Sequence, residues 1–292
     1  MQDLAGKVAL ITGAASGIGH GLVDAFAAVG MTVVAVDVDR EGLDSLHDDL
    51  DRVSARHLTY VLDIRDRAAW SELVALIERD LGPVQLLCNN AGVTATPGPL
   101  LDLPSEAWDW VTGTNLTGCF NGVQAVASRL RAQQLPGHIV NTSSVQGFFA
   151  AAGFGPYNAA KFGIVGLSET LRLELAPLRI GVSVLCPGPT RGRIMASSAR
   201  IAPHLARSLG PPRTGFTIYQ TPAEVAAKVV DAVRANRLYV FTHPEYAAVL
   251  EARAAAMRAS LSPASAQAID NVLSVEAEMI AMYAAEARAA SH

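Results

Sequence analysis

Short apolar runs recur along the chain, each followed by a longer stretch in which apolar positions return every three or four residues. The runs at 8–11, 32–36, 58–62, 84–88, 138–141 and 181–185 are nearly continuous in apolar residues rather than alternating. That pattern predicts strands buried on both faces. Residues 18–29, 67–81, 104–131 and 157–177 carry the helical spacing. Strand–helix alternation of this kind predicts an α/β fold, a doubly wound parallel sheet with helices on both faces. Neither a linker before about residue 188 nor an internal repeat is visible, so residues 1–250 are expected to form one domain.

Two regions break the alternation. Residues 189–221 are rich in Pro, Gly, Ser and Arg, show no obvious strand, and read as a lid. From Thr221 a helix, a short strand at 238–241 and a long Ala-rich helical tail follow, making 251–292 a C-terminal helical extension. In the tail Ile269, Val272, Leu273, Glu276, Met279, Ile280 and Tyr283 fall near one helical face. Such a face serves either packing on its own subunit, or a contact between subunits or a cover over the site.

Composition narrows the class. Half of the 292 residues are hydrophobic and 17% are charged, enough for a sizeable core. A net charge of −4 gives no general reason to expect nucleic-acid or membrane binding, and no apolar run is long enough to span a bilayer. Cys88, Cys119 and Cys186 sit in apolar contexts without metal-ligand spacing, so no metal is expected. They read as reduced thiols of a cytoplasmic protein. The first seven residues run straight into a strand and leave no room for a signal peptide.

The chemistry concentrates on Ser144, Tyr157 and Lys161. A Tyr followed four residues later by Lys places both side chains on one helix face, where a Ser from the preceding strand could meet them. Neutral Tyr is a poor acid and a poor base at pH 7; an adjacent ammonium stabilises the phenolate, and a hydroxyl can hold a reacting oxygen. With three Lys and six Tyr in the chain, a chance Tyr-x3-Lys is expected roughly 0.06 times. The run Thr12-Gly13-Ala14-Ala15-Ser16-Gly17-Ile18-Gly19 lies between the first strand and first helix, where glycines let backbone approach a pyrophosphate. Asp37 ends the second strand, so its carboxylate is either a solvated strand-end acid or an acceptor for ribose hydroxyls that repels a 2′-phosphate. Asp39 adds to that repulsion, Arg40 alone could soften it, and NAD is favoured over NADP.

Together these residues resemble the short-chain dehydrogenase/reductase family over roughly residues 5 to 245, with a Rossmann-type sheet. Thr12-Gly13-x3-Gly17-Ile18-Gly19 looks like its cofactor loop, Asp63-Ile64 like its adenine contact, and Asn89-Asn90-Ala91-Gly92 like its signature after the fourth strand. Ser144 precedes Tyr157 by the family separation of thirteen residues, which selects Ser144 over Ser143. The resemblance implies Tyr157 as general acid/base, with Lys161 lowering its pKa and binding the nicotinamide ribose. It further implies that Ser144 positions the substrate oxygen, and that Asn115 holds a water linking Lys161 to solvent. Pro187-Gly188 matches the turn beside the nicotinamide, but Gly192 stands where the family often has Thr, leaving Thr190 as the candidate for that contact.

The substrate is less legible. Gln146 is a polar candidate for orienting it; Phe148, Phe149 and Phe154 either line a pocket for a ring-bearing substrate or belong to the core. Between Glu174 and Glu224 there is no acidic residue, yet Arg179, Arg191, Arg193, Arg200, Arg207 and Arg213 lie there. They either cap helices and face solvent or attract an anionic cofactor or substrate. The run from Leu238 to Tyr246 is similar to a subgroup acting on bulky aryl alcohols, the lignin-derived aryl-ether Cα-dehydrogenases; His243 within it reads as a strand-end residue. The expectation is an NAD(H)-dependent enzyme interconverting a secondary alcohol and ketone, bulky or aromatic, assembled as a homodimer or homotetramer. A hydroxysteroid, polyol, sugar or hydroxy acid is the alternative substrate, and a non-catalytic NAD-binding regulator the alternative class.

Overall fold

The computed structural model describes residues 1–192, 194–207 and 219–289. In chain order the elements are β1 Val8–Thr12, α1 Gly17–Ala28, β2 Thr32–Asp37, α2 Arg40–Arg52, β3 His57–Val61, α3 Arg67–Asp80, β4 Val84–Asn89, α4 Ser105–Thr112 and α5 Gly118–Ala132. They continue with β5 Gly137–Thr142, α6 Gly155–Leu175, β6 Ile180–Cys186, α7 Ile194–Ile201, α8 Pro222–Ala235, β7 Tyr239–Phe241, α9 Ala247–Ala259, α10 Ala266–Val275 and α11 Ala277–Ala289. The seven strands form one parallel sheet in the order β3-β2-β1-β4-β5-β6-β7.

The pleat sorts the apolar runs onto two cores, because successive strand residues point to opposite faces. Ala9, Ile11, Val33, Ala35, Leu86 and Cys88 face one side, against Leu22 and Phe26 of α1, Leu43, Leu46 and Leu50 of α2 and Val229 and Val233 of α8. Val8, Leu10, Val34, Val36, Val84 and Leu87 face the other, against Trp70, Leu73 and Ile77 of α3, Val126 and Leu130 of α5 and Leu171 of α6. Each fully buried side chain of this kind contributes about 1.5–3 kcal/mol. Trp70 also satisfies its indole N–H, which donates to the Ile64 carbonyl at 2.9 Å. Only the 58–62 strand departs from burial on both faces: β3 is an edge strand, and its residues are half-buried or exposed.

Three features lie outside the apolar pattern. Helix α2 has no counterpart in the periodic stretches, because Asp44, Asp48, Asp49 and Asp51 dilute its Leu43–Leu46–Leu50 stripe. Asp39 starts that helix, accepting from the Gly42 amide at 3.3 Å, a cap of a kind that contributes about 1 kcal/mol. The 104–131 stretch is two helices, α4 and α5, joined by a π-turn at Gly113–Thr117. The tail is likewise divided: α10 and α11 meet at Glu276, so Ile269, Val272 and Leu273 stay exposed on α10 while α11 packs on α6 through Met282.

Candidate active site

A cleft of about 610 Å³ opens beyond the C-terminal ends of the strands, where the chain order reverses between β1 and β4. Parallel sheets bind ligands at such a switch point. Thr12 stitches the two strand ends together: its Oγ accepts from the Asn90 and Ala91 amides, both at 3.0 Å, and Asn90 Nδ2 donates to the Thr12 carbonyl at 3.0 Å. Thr12 belongs to the loop motif in sequence, but its role as the stitch depends on a contact across 78 residues.

The glycines answer to close approach. A Cβ on Gly13, where φ is +68°, would sit 2.7 Å from Ala91 Cα, and one on Gly19 would sit 1.9 Å from the Gly13 carbonyl oxygen. Neither can be accommodated. Ser16 precedes α1 but makes no side-chain cap, so the first amides of that helix remain directed at the cleft, an arrangement suited to an anion. Gly13, Ser16, Gly17 and Ile18 line the cavity; Gly19 lies beneath it as packing.

Asp37 lines the cleft with its carboxylate held from behind by the Ala15 amide at 3.0 Å and the Asp39 amide at 3.1 Å. Burial pushes its pKa up, and those amides oppose the rise. Beyond it, Asp63 and Ile64 line the wall, Asp63 forked by the Arg65 guanidinium at 2.6 and 3.0 Å, which holds its carboxyl below the usual range.

At the other end, Asn90, Ala91, Gly92, Ser144, Tyr157, Lys161, Pro187, Gly188 and Thr190 share the same cavity. Lys161 Nζ donates to the Thr142 carbonyl at 2.8 Å and lies 5.4 Å from the centre of the Tyr157 ring. Its ammonium is buried, which brings its pKa down to about 8, with the Cys119 and Cys186 thiols opposing the fall. Burial pushes the Tyr157 phenol up, and a hydrogen bond with Ser144 opposes that rise. The two neighbouring serines are used differently. Ser143 Oγ donates to the Lys161 carbonyl at 2.8 Å and so anchors α6, while Ser144 Oγ accepts from the Gln146 amide at 3.1 Å and meets Tyr157. Asn115 sits in the π-turn, with its amide group exchanging hydrogen bonds with the Val93 backbone at 2.8 and 2.9 Å.

The three substrate candidates do not line the cleft. Phe148 turns into the core against Phe241, at 5.1 Å between ring centres, and Tyr239, because the short turn Val145–Gly147 directs it beneath the sheet edge. Phe154 precedes α6 as its cap residue, and Gln146 is half-buried beside Ser144. Phe149 stacks on Tyr246, 5.4 Å between centres. His243 is buried under the Pro187-Gly188 turn, its Nδ1 2.7 Å from Thr242 Oγ. Thr190 Oγ donates to the Gly188 carbonyl at 3.1 Å.

Helix α7 crosses the cleft, and sequence periodicity did not reveal it. Ala202, Leu205 and Ala206 cover Val93, Ala107 and Trp110, with the Tyr157 ring packed against the same cluster. Ser198 Oγ accepts from the Thr94 amide at 3.0 Å, and Ile194, Ser197, Arg200 and Ile201 line the cavity. The lid arginines divide accordingly. Arg179 closes a helix end and donates to the Gln134 carbonyl at 3.2 Å, Arg191 and Arg207 are exposed, and Arg200 alone of the described ones lines the cleft. Arg193 and Arg213 lie outside the described residues.

Comparison with known proteins agrees with this geometry. The profile of the short chain dehydrogenase family matches residues 7–201. The chain belongs to the short-chain dehydrogenase family. It is 33% identical to a Cα-dehydrogenase of Sphingobium over 90% of this chain and 89% of that protein. It is 36% identical to the 3-oxoacyl-[acyl-carrier-protein] reductase FabG of Thermotoga maritima, over 81% and 94%. A family member from Burkholderia phymatum, solved in complex with NAD, superposes with a TM-score of 0.81 at 32% identity, covering 91% of this chain and 99% of that one. This short-chain dehydrogenase is therefore an oxidoreductase, and no helix among its described residues is long and apolar enough to cross a membrane.

Proposed function

We propose that the chain interconverts a secondary alcohol and its ketone with NAD(H), on a bulky or aromatic substrate. The carrying observation is the convergence of Ser144, Tyr157 and Lys161 in the one cavity that also holds Asp37 and the open N-terminus of α1. A dinucleotide fits these donors: amides for a pyrophosphate, the Asp37 carboxylate for ribose hydroxyls, and the close backbone approach that Gly13 permits. The cofactor would supply hydride transfer.

The chain's own residues manage the proton. Tyr157 Oη gives a proton to the forming alkoxide, or takes one from the alcohol, and Ser144 Oγ holds the same oxygen. Lys161, charged at neutral pH with its pKa near 8, stabilises the phenolate and accompanies the proton toward solvent. Asn115 assists from its backbone, since Val93 occupies its side chain and the π-turn loosens the helical ladder there. The cover of Trp110, Leu205 and Ala206 over the Tyr157 ring keeps water from competing. Asp37 disfavours a 2′-phosphate and hence NADP. Similarity to the Cα-dehydrogenase along nine-tenths of the chain supports the aryl-alcohol class. The three buried free thiols fit a reducing compartment, and exposed Trp108 and Phe120 on α4 and α5 fit a homodimer or homotetramer, to be checked by light scattering.

The test is NAD reduction with a panel of secondary aryl alcohols, comparing the wild type with Tyr157→Phe. Turnover lost by several orders of magnitude in the variant supports the reading; equal rates in both overturn it. Absence of turnover with any alcohol or ketone would leave a cofactor-binding regulator as the better account.

A further inference from the structure

At the opposite end of the sheet from the cleft, three side chains with metal-binding chemistry converge. His47 and Asp51 stand one turn apart on the last half of α2, and His57 is the first residue of the edge strand β3. One ligand atom from each lies within 4.8 Å of the others. His57 Nε2 is 2.7 Å from His47 Nδ1 and 3.8 Å from an Asp51 carboxylate oxygen, while His47 Nε2 is 3.6 Å from the other oxygen.

The orientation of His57 is the second observation. Its ring is 5% exposed, and Nδ1 lies 2.8 Å from the Ala55 carbonyl, which can only accept. Nδ1 therefore carries the hydrogen, and Nε2 presents its lone pair to His47. Metal-binding histidines are oriented in this way, the far ring N–H given to a backbone carbonyl. The loop that delivers the ring includes Ser54 at φ +53°, an uncommon conformation for a side-chain-bearing residue. Two imidazole nitrogens 2.7 Å apart need a proton or a cation between them. A tetrahedral ion with bonds of about 2.0–2.1 Å needs its nitrogens about 3.3 Å apart, a small movement for the half-exposed His47.

We propose that His47, Asp51 and His57 form a structural site for a divalent transition-metal ion of the zinc class, clamping the end of α2 to the start of β3. Two imidazoles and one carboxylate suit zinc, cobalt or nickel and do not suit the all-oxygen preference of calcium or magnesium. With three protein ligands the fourth position would be left open to a water, as in zinc sites that no fourth side chain closes. The site takes no part in the reaction, because the cleft lies beyond the other ends of these strands. Its consequence is mechanical: α2 begins at Asp39 and β3 leads into Asp63, so the clamp stiffens the two elements that shape the far wall of the cleft.

The experiment uses the full chain without an affinity tag, stripped with EDTA and returned to chelator-free buffer. It is titrated with Zn²⁺ by calorimetry, then melted with and without the ion. One Zn²⁺ should bind per chain and raise the melting midpoint by several degrees. His47→Gln should weaken binding by at least about tenfold and remove the shift, and Asp51→Asn should weaken it less. With Co²⁺ in place of Zn²⁺, the visible bands of a tetrahedral site should appear in the wild type and be lost in His47→Gln. His47 is half-exposed, so its replacement leaves the fold and the turnover of the metal-free enzyme unchanged. No saturable binding to the wild type, or binding of equal strength in His47→Gln, would overturn the proposal.

Discussion

Arg200 on α7 forks onto the carboxylate of Asp39, Nη1 to Oδ1 at 2.8 Å with a second, shorter contact from Nη2, and so ties the helix that crosses the cleft to the residue that caps α2. Asp39 stands two residues beyond Asp37, so the tie closes the cleft over the end that Asp37 lines. The Arg200 side chain is 55% exposed, and a pair of this kind contributes little to folding, at most about 1 kcal/mol. Arg200→Gln should therefore leave the melting temperature almost unchanged and weaken NAD binding by a few fold. It also takes one positive charge away from Asp39, so the ratio of the NADP to the NAD dissociation constant should rise. Fluorescence titration with both nucleotides measures this, and an unchanged ratio would mean that Asp37 alone sets the preference.

That tie shows where reading the sequence stops. Strands such as Val33-Val34-Ala35-Val36 are legible because burial on both faces leaves an uninterrupted apolar run. Ser144, Tyr157 and Lys161 are legible because helix geometry and one turn after a strand bring them together locally. Arg200 and Asp39 are separated by 161 positions, and no local signal pairs them. Phe148 fails for a different reason: an aromatic after the strand suits a pocket as well as a core, and only the direction of the following turn decides. The π-turn around Asn115 likewise has no composition of its own.

Lys161 leads to a prediction with a sign. Its pKa in the folded protein is about 8, against 10.5 when exposed. Between those values the unfolded chain holds the proton and the folded one does not, so stability rises with pH across this window; below pH 8 the full cost of the buried charge remains. The difference of about 2.5 pH units corresponds to about 3 kcal/mol. Lys161→Met removes this dependence. Urea unfolding of both proteins at pH 7 and pH 10 should show the wild type gaining on the variant by an amount of that order. Parallel behaviour would place the Lys161 pKa near its ordinary value.

His138 acts on the acid side. It is buried in β5 with Nε2 2.8 Å from Ser183 Oγ, and burial brings its pKa down to about 3. Between pH 6.5 and 3 the unfolded chain takes up a proton that the native ring refuses, so stability falls as the pH falls, by about 1.4 kcal/mol per unit. His138→Gln keeps a polar group near Ser183 and removes the titration. Its unfolding free energy should decline less steeply over that range, measured by denaturant titration at pH 6.5, 5.5 and 4.5.

Glu286 on α11 anchors the tail to the sheet edge. One oxygen accepts from Arg172 at 3.1 Å and the other from the Leu238 amide at 2.8 Å, just before β7 begins. The carboxylate and the guanidinium are 13% and 17% exposed, so this pair is screened far less than the one at Asp39. Tyr283 and Tyr239 add a second attachment by donating to the Glu169 carboxylate at 3.1 and 2.6 Å. Glu286→Ala leaves the Leu238 amide without its acceptor and takes from the Arg172 guanidinium its carboxylate partner, though Asn236 and the Val182 carbonyl still accept from it, which should cost about 1–3 kcal/mol. Glu286→Gln retains one acceptor oxygen and should lose less. Tyr283→Phe in combination should then release α11, seen as faster amide hydrogen exchange along α11 and in β7. The cleft lies outside this contact, so turnover below the melting transition should be preserved; a fall in turnover with unchanged exchange would mean that the tail acts on the site directly rather than by bracing the strand.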